Sequence, residues 1–249
     1  MTLIAVACGS SSATSADERR ITVAAASDLR FAFDELGDAF TAETGIEVTF
    51  AYGSSGQLRE QIINGAPFDL FASANVDFVD DVIEAGRGIE ETKADYAVGR
   101  IVLWSPPGGL FPQSVADLAD SQYRTIAIAN PRHAPYGLAA EQALISAGVI
   151  EEVRSRLIFG ENISDAMRIV ESGNADVGIV ALSLAIVGDA PYVIVDEDLH
   201  EPLRQALVVT STGERGADAE GFATFLASPE GREVMVRYGF VLPGETVDG

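Results

Sequence analysis

Residues Ile21–Leu29 read ITVAAASDL, and the two halves of this stretch follow different periods. Residues 21–26 are small and apolar with Ile and Val alternating, the pattern of a buried strand. From Leu29 onward the apolar residues are Leu29, Phe33, Leu36 and Phe40, which fall on one face of a helix. Ser27-Asp28 stands where the period changes, which puts Ser27 in the N-cap position. A strand that ends at a serine and opens a helix points backbone N–H groups beyond the sheet edge, a place suited to an anion. Taken alone, Ser27 is better read as a plain helix cap.

Repetition changes that balance. Gly53-Ser54-Ser55-Gly56 precedes a second helical pattern at Gln57–Ile63, and weaker versions occur at Pro135-Tyr136-Gly137 and Asn162-Ile163-Ser164. Four helix starts aimed at one point would hold a small oxyanion without any Lys or Arg. Each charge-assisted hydrogen bond to a desolvated oxyanion contributes about 1.5–3 kcal/mol.

At 249 residues the chain can bury a large core, as one domain or two lobes. Its net charge is −22, and Lys93 is the only lysine. Nucleic acid is excluded as a partner, since a polyanion needs a basic face. A small anion is not excluded, because local N–H dipoles outweigh a field screened within about 8–10 Å.

Strand and helix patterns alternate along the chain. After strand 21–26 and helix 28–42 come strand 46–52, helix 55–64, strand 70–73 and helix 76–85. This rhythm predicts a parallel sheet with helices on both faces. A second α/β unit spans roughly 100–190, with strands at 100–104, 125–129, 156–159 and 177–181 and helices at 137–147 and 163–172. Val193–Val195 reads as a strand returning toward the first unit, and the C-terminal part, too short to fold alone, completes that unit. In open α/β sheets ligands sit beyond the carboxyl ends of the strands, where Ser27, Ser55, Tyr136 and Ile163 all lie.

Several segments together make the chain recognisable: ITVAAASDL (21–29), AYGSSGQL (51–58), NGAPFDLFASA (64–74), AVGRIVLW (97–104), IANPRHAPYGLAAEQAL (128–144), NADVGIVALS (174–183) and SPEGREVMVRYGFVLP (228–243). In order and spacing the sequence resembles the periplasmic molybdate-binding proteins of ABC importers, which are type II periplasmic-binding proteins. The resemblance covers nearly all of 21–243. It implies an α/β, two-lobed fold, each lobe a mostly parallel sheet flanked by helices, with the ligand in the cleft between them. The implied lobes are 21–98 with 200–249, and 99–199, hinged near 97–101 and 193–206. It further implies a receptor, not an enzyme, that closes on molybdate or tungstate and delivers it as a monomer to a membrane permease. By motif position the anion-binding groups are Ser27, Asp28, Ser55, Tyr136 and Ile163. No cofactor is implied, and molybdenum is bound only as the oxyanion, through these residues. Where some relatives carry a tyrosine hydroxyl donor, this chain has Ala181; Tyr136 or Ser183 could replace that donor. Asp28 brings a carboxylate to the site, and its side chain must turn away from the anion.

Cys8 is the one cysteine, so no intrachain disulfide can form. It ends LIAVAC and precedes the Ser-rich GSSSATSADERR, similar to the lipobox and tether of a bacterial lipoprotein, although Ala5 stands where Leu is usual. Residues 1–20 are accordingly read as a signal remnant and tether, with Cys8 lipidated and the protein held on the extracytoplasmic face of the membrane only by that anchor.

Rival readings are weaker. Sulfate or another tetrahedral oxyanion is the alternative ligand, separated from molybdate by cavity size. Phosphate fits less well, because a site of donors offers nothing to a protonated oxygen. A serine hydrolase using Ser27, Ser55 or Ser105 with His133 or His200 is the rival from another class, but no G-x-S-x-G elbow occurs. Asp196-Glu197-Asp198 lacks the spacing of a calcium loop, and Phe71 and Trp104 read as core or hinge residues.

Overall fold

A computed structural model describes residues 19–245; the lipidation reading at Cys8 lies outside the described residues. In chain order the strands are β1 (Arg20–Ala26), β2 (Glu47–Gly53), β3 (Leu70–Ser73), β4 (Ala94–Gly99), β5 (Ile101–Trp104), β6 (Ile126–Ala129), β7 (Leu157–Gly160), β8 (Val177–Ala181), β9 (Tyr192–Ile194) and β10 (Leu203–Val209). The helices are α1 (Arg30–Thr44), α2 (Ser55–Ile63), α3 (Val76–Glu84), α4 (Pro135–Ser146), α5 (Ile150–Val153), α6 (Ile163–Glu171), α7 (Leu182–Ala185), α8 (Gly216–Ala227) and α9 (Pro229–Arg237).

The strands form two sheets, in the orders β2-β1-β3-β10-β4 and β7-β6-β8-β5-β9. Each is mixed: β1 pairs in parallel with β2 and β3, and β6 with β7 and β8, whereas β10 and β5 run antiparallel to both neighbours. The antiparallel strands are those that carry the chain between lobes. β4 ends at Gly99 in the first sheet, and β5 begins at Ile101 in the second. The return runs from β9 to β10. These two crossings overlap the segments expected to hinge.

Strand alternation explains how one sheet serves two cores. Ile21, Val23 and Ala25 of β1, with Leu70, Ala72, Leu207 and Val209, belong to the large core that also takes Phe33, Leu36 and Phe40 of α1. Ala24, Phe71, Ala206 and Val208 face the other way, onto Leu58 and Ile62 of α2 and Val79 and Val82 of α3. Phe222 of α8 meets Phe33 edge-on at 5.8 Å and Phe40 at 5.4 Å, which docks the C-terminal helices on the first lobe. Phe71 and Trp104 are both buried.

Each sheet is also tied by an aspartate just before its middle strand. Asp69, ahead of β3, accepts from Thr22 N–H (2.7 Å) and Arg215 N–H (3.0 Å). Asp176, ahead of β8, accepts from Arg124 N–H (2.8 Å) and Thr125 N–H (3.0 Å). Asp69 is buried, so Asp69→Ala strands two backbone donors. The expected cost is about 2–4 kcal/mol of unfolding free energy, readable as a lower urea midpoint; an unchanged midpoint would remove Asp69 from this role.

The helix expected at 28–42 starts differently. Ser27–Leu29 form a separate 3-10 turn, and α1 proper begins at Arg30 with Leu29 as its cap residue. Ser27 therefore makes no capping bond, and its hydroxyl is released for the cleft. Among the described residues no helix is long and apolar enough to cross a membrane.

Candidate functional site

Four strand ends meet between the lobes. β1 runs into the Ser27–Leu29 turn, β2 into α2, β6 through a short loop into α4, and β7 into α6. Ser27, Asp28, Ser55, Tyr136 and Ile163 all line one small cavity there. The five residues named from the sequence thus come together. None of the residues lining the cavity is Lys, Arg or His.

An accounting of backbone donors shows what the cavity offers. At α6, Ser164 N–H donates to Ser27 Oγ (3.3 Å) and Asp165 N–H to Oδ1 of the N-cap Asn162 (3.0 Å). At α2, Gly56 N–H donates to the His133 carbonyl (2.9 Å) and Leu58 N–H to that of Ser54 (3.0 Å). At α4, Pro135 has no N–H, and Gly137 and Leu138 both donate to the Ala134 carbonyl, at 2.9 and 3.0 Å. The first donors of the three helices, Ile163, Ser55 and Tyr136, have no acceptor among the described residues. Each sits at a helix N-terminus, where the dipole favours negative charge. Ser55 adds a hydroxyl: its Oγ accepts from Ala74 N–H (3.0 Å), which leaves the hydroxyl proton for another acceptor.

Several hydrogen bonds join the lobes around the cavity. Ser27 Oγ donates to Asn162 Oδ1 (3.1 Å), and Ser164 Oγ to the Ser27 carbonyl (2.9 Å). Ser183 Oγ donates to the Asp28 carbonyl (2.8 Å), and Tyr136 OH to Asp28 Oδ2 (2.9 Å). Ser54 Oγ meets His133 Nδ1 at 2.8 Å. Gly56 packs so closely that a Cβ there would lie 2.6 Å from the His133 carbonyl oxygen.

The Asp28 carboxyl is held by side chains of the cavity wall and not by the helix-start N–H groups: Oδ2 accepts from Tyr136 OH. Oδ2 also accepts from Gln205 Nε2 (2.8 Å), while Oδ1 is buried without a partner. Burial pushes the Asp28 pKa up to about 6, against the hydrogen bonds from Gln205, Tyr136 and its own backbone. Burial, then the Asp28 charge, hold the Tyr136 hydroxyl well above its ordinary value. Both hydroxyls that could have stood in for a tyrosine at Ala181, those of Tyr136 and Ser183, are therefore spent on Asp28.

The sequence alone did not single out Asn162, Ser54 or Gln205 as partners. Gln205 carried the clearest signal, a lone amide inside the apolar strand LRQALVV. Neither Ser27 nor Ser55 hydrogen-bonds a histidine among the described residues; His133 Nδ1 pairs with Ser54 Oγ instead, and His200 Nδ1 meets the Glu201 carbonyl at 2.8 Å. Asp196 accepts from Asp198 N–H (3.0 Å) in a local turn, and no cluster of three or more metal-ligating side chains occurs among the described residues.

A profile described as bacterial extracellular solute-binding protein matches residues 21–241. The chain belongs to that family. Among members of this solute-binding family, the molybdate-binding protein ModA of Rhodobacter capsulatus is 38% identical over 210 residues, 83% of this chain and 82% of that one. ModA of Azotobacter vinelandii is 33% identical, covering 92% and 93% of the two chains. The solved structure of the Azotobacter vinelandii periplasmic molybdate-binding protein superposes with a TM-score of 0.84 at 32% identity, over 90% of this chain and 99% of that one. The two-sheet architecture of this solute-binding protein is thus the fold of its solved relative.

Proposed function

We propose that this protein is an extracytoplasmic receptor for molybdate, and for tungstate, which it delivers to an ABC permease. The reading is carried by the three helix-start N–H groups of Ser55, Tyr136 and Ile163, without acceptors, around a cavity with no cationic side chain. Asp28 N–H and the Ser55 hydroxyl extend the donor set, and the Ser27 hydroxyl joins it by turning its proton from Asn162 Oδ1 (3.1 Å) to the anion. The metal stays inside the oxyanion, and no protein atom coordinates it. The ModA relatives above 30% identity support molybdate over sulfate.

In this account residues 21–98 and 200–249 make one lobe, 99–199 the other, and binding stabilises the closed form because only closure assembles donors from both. The protein works as a monomer without catalysis, tethered through a lipid on Cys8. Equilibrium dialysis against molybdate, tungstate, sulfate and phosphate tests the reading. One molybdenum or tungsten atom should be retained per chain in excess sulfate; retention of sulfate in preference would move the function to sulfate uptake.

A further inference from the structure

We propose that Asp28 is a specificity-determining residue: it takes up one proton when a dianionic oxyanion binds, so that the loaded site presents donors only. This rests on the oxyanion reading above.

A hydrogen count within the buried cluster of Asp28, Tyr136 and Gln205 carries the argument. Tyr136 OH and Gln205 Nε2 both donate to Asp28 Oδ2, and Gln205 Nε2 also reaches Tyr136 OH at 3.2 Å. Two acceptors, Asp28 Oδ1 and Gln205 Oε1, are buried and receive nothing. The cluster has two acceptors without a hydrogen, and a proton on Oδ1 is the addition its chemistry allows.

No cation offsets the carboxylate. From α4 and β4 the titratable neighbours are Tyr136 and Tyr96, both held neutral by burial and by Asp28 itself. β10 contributes the neutral Gln205, and α7 contributes Ser183, which bonds the Asp28 carbonyl. From α6 come Ser164, on Ser27, and Asp165, whose carboxylate is taken by Glu161 N–H and Arg168. At the start of α1 the Arg30 guanidinium lies over the Tyr52 ring, 5.4 Å from its centroid. His133 is on the far side of the cavity, on Ser54.

A dianion held at the Asp28 N–H would stand beside this uncompensated carboxylate, and repulsion would draw in a proton from solvent. With Oδ1 protonated, the site offers no acceptor to an oxyanion that carries its own hydrogen, such as hydrogen phosphate.

Calorimetric titration of the whole chain with molybdate tests this. In buffers of different ionisation enthalpy, binding near neutral pH should consume close to one proton. The association constant should fall close to tenfold per pH unit above about pH 6, where molybdate remains a dianion. Asp28→Asn should flatten that profile and bind at alkaline pH at least as tightly as the parent. The proton uptake of the unmodified chain decides the matter even if the variant does not fold. Binding without proton uptake, or a slope that persists in Asp28→Asn, would overturn the inference and leave the receptor reading intact. No molybdate binding at any pH would overturn the receptor reading itself.

Discussion

Ser55→Pro is expected to weaken molybdate binding by at least about 100-fold while the fold survives. Ser55 is the first residue of α2, and Ser54 before it is extended at φ −76° and ψ 133°. Proline is favoured at that first helical position, and an extended residue before it is what proline requires. The substitution removes the Ser55 N–H and hydroxyl together, each a donor contributing about 1.5–3 kcal/mol to a charged partner. The structural cost is the Ala74 N–H, left buried without the acceptor it has at 3.0 Å, about 1–3 kcal/mol. Thermal melting should therefore show a lowered but still cooperative transition while titration shows the loss. Parental affinity in a folded variant would mean that α2 does not face the anion.

Gly56→Ala should also weaken binding strongly, by about 10–100-fold, but through closure. Alanine is the better helix former by up to about 1 kcal/mol, so α2 itself gains. The added Cβ would lie 2.6 Å from the His133 carbonyl oxygen in the other lobe, too close for any contact. The lobes must part there, breaking the Gly56–His133 hydrogen bond of 2.9 Å. Solution scattering should show molybdate compacting the parent and failing to compact the variant. A variant that binds and closes normally would remove the His133 loop from the closed form.

Local pattern made much of the architecture legible. β3 and β8 fall on residues 70–73 and 177–181 as their short apolar runs predict, because a buried strand bounded by turns leaves little freedom of register. Ser228 in the local Ser-Pro-Glu pattern caps α9, its side chain accepting from Gly231 N–H at 3.1 Å. Local pattern misled at Ser27, where an intervening 3-10 turn moves the cap to Leu29. It passed over β4, whose pairing with β10 joins segments about a hundred residues apart. Local pattern gives α8 only from Gly221 onward, because GADAE before it shows no apolar period and the side chain of Arg215 provides no cap.

At the candidate site, the helix starts were visible because each is a local sequence event. Their cross-lobe partners were not. Ser27–Asn162 spans 135 positions and Asp28–Gln205 spans 177, and no local signal pairs residues at such separations. That is why Asp28 could be placed at the site while the two groups that hold its carboxyl could not be named.

The central claim is that helix-start N–H groups hold the anion without a cationic side chain. A crystal structure of the chain with molybdate tests it most directly. The account predicts one anion between the lobes, its oxygens about 2.7–3.2 Å from the backbone nitrogens of Ser55, Tyr136 and Ile163. An anion seated instead on an arginine side chain, or outside the cleft between the two sheets, would contradict it.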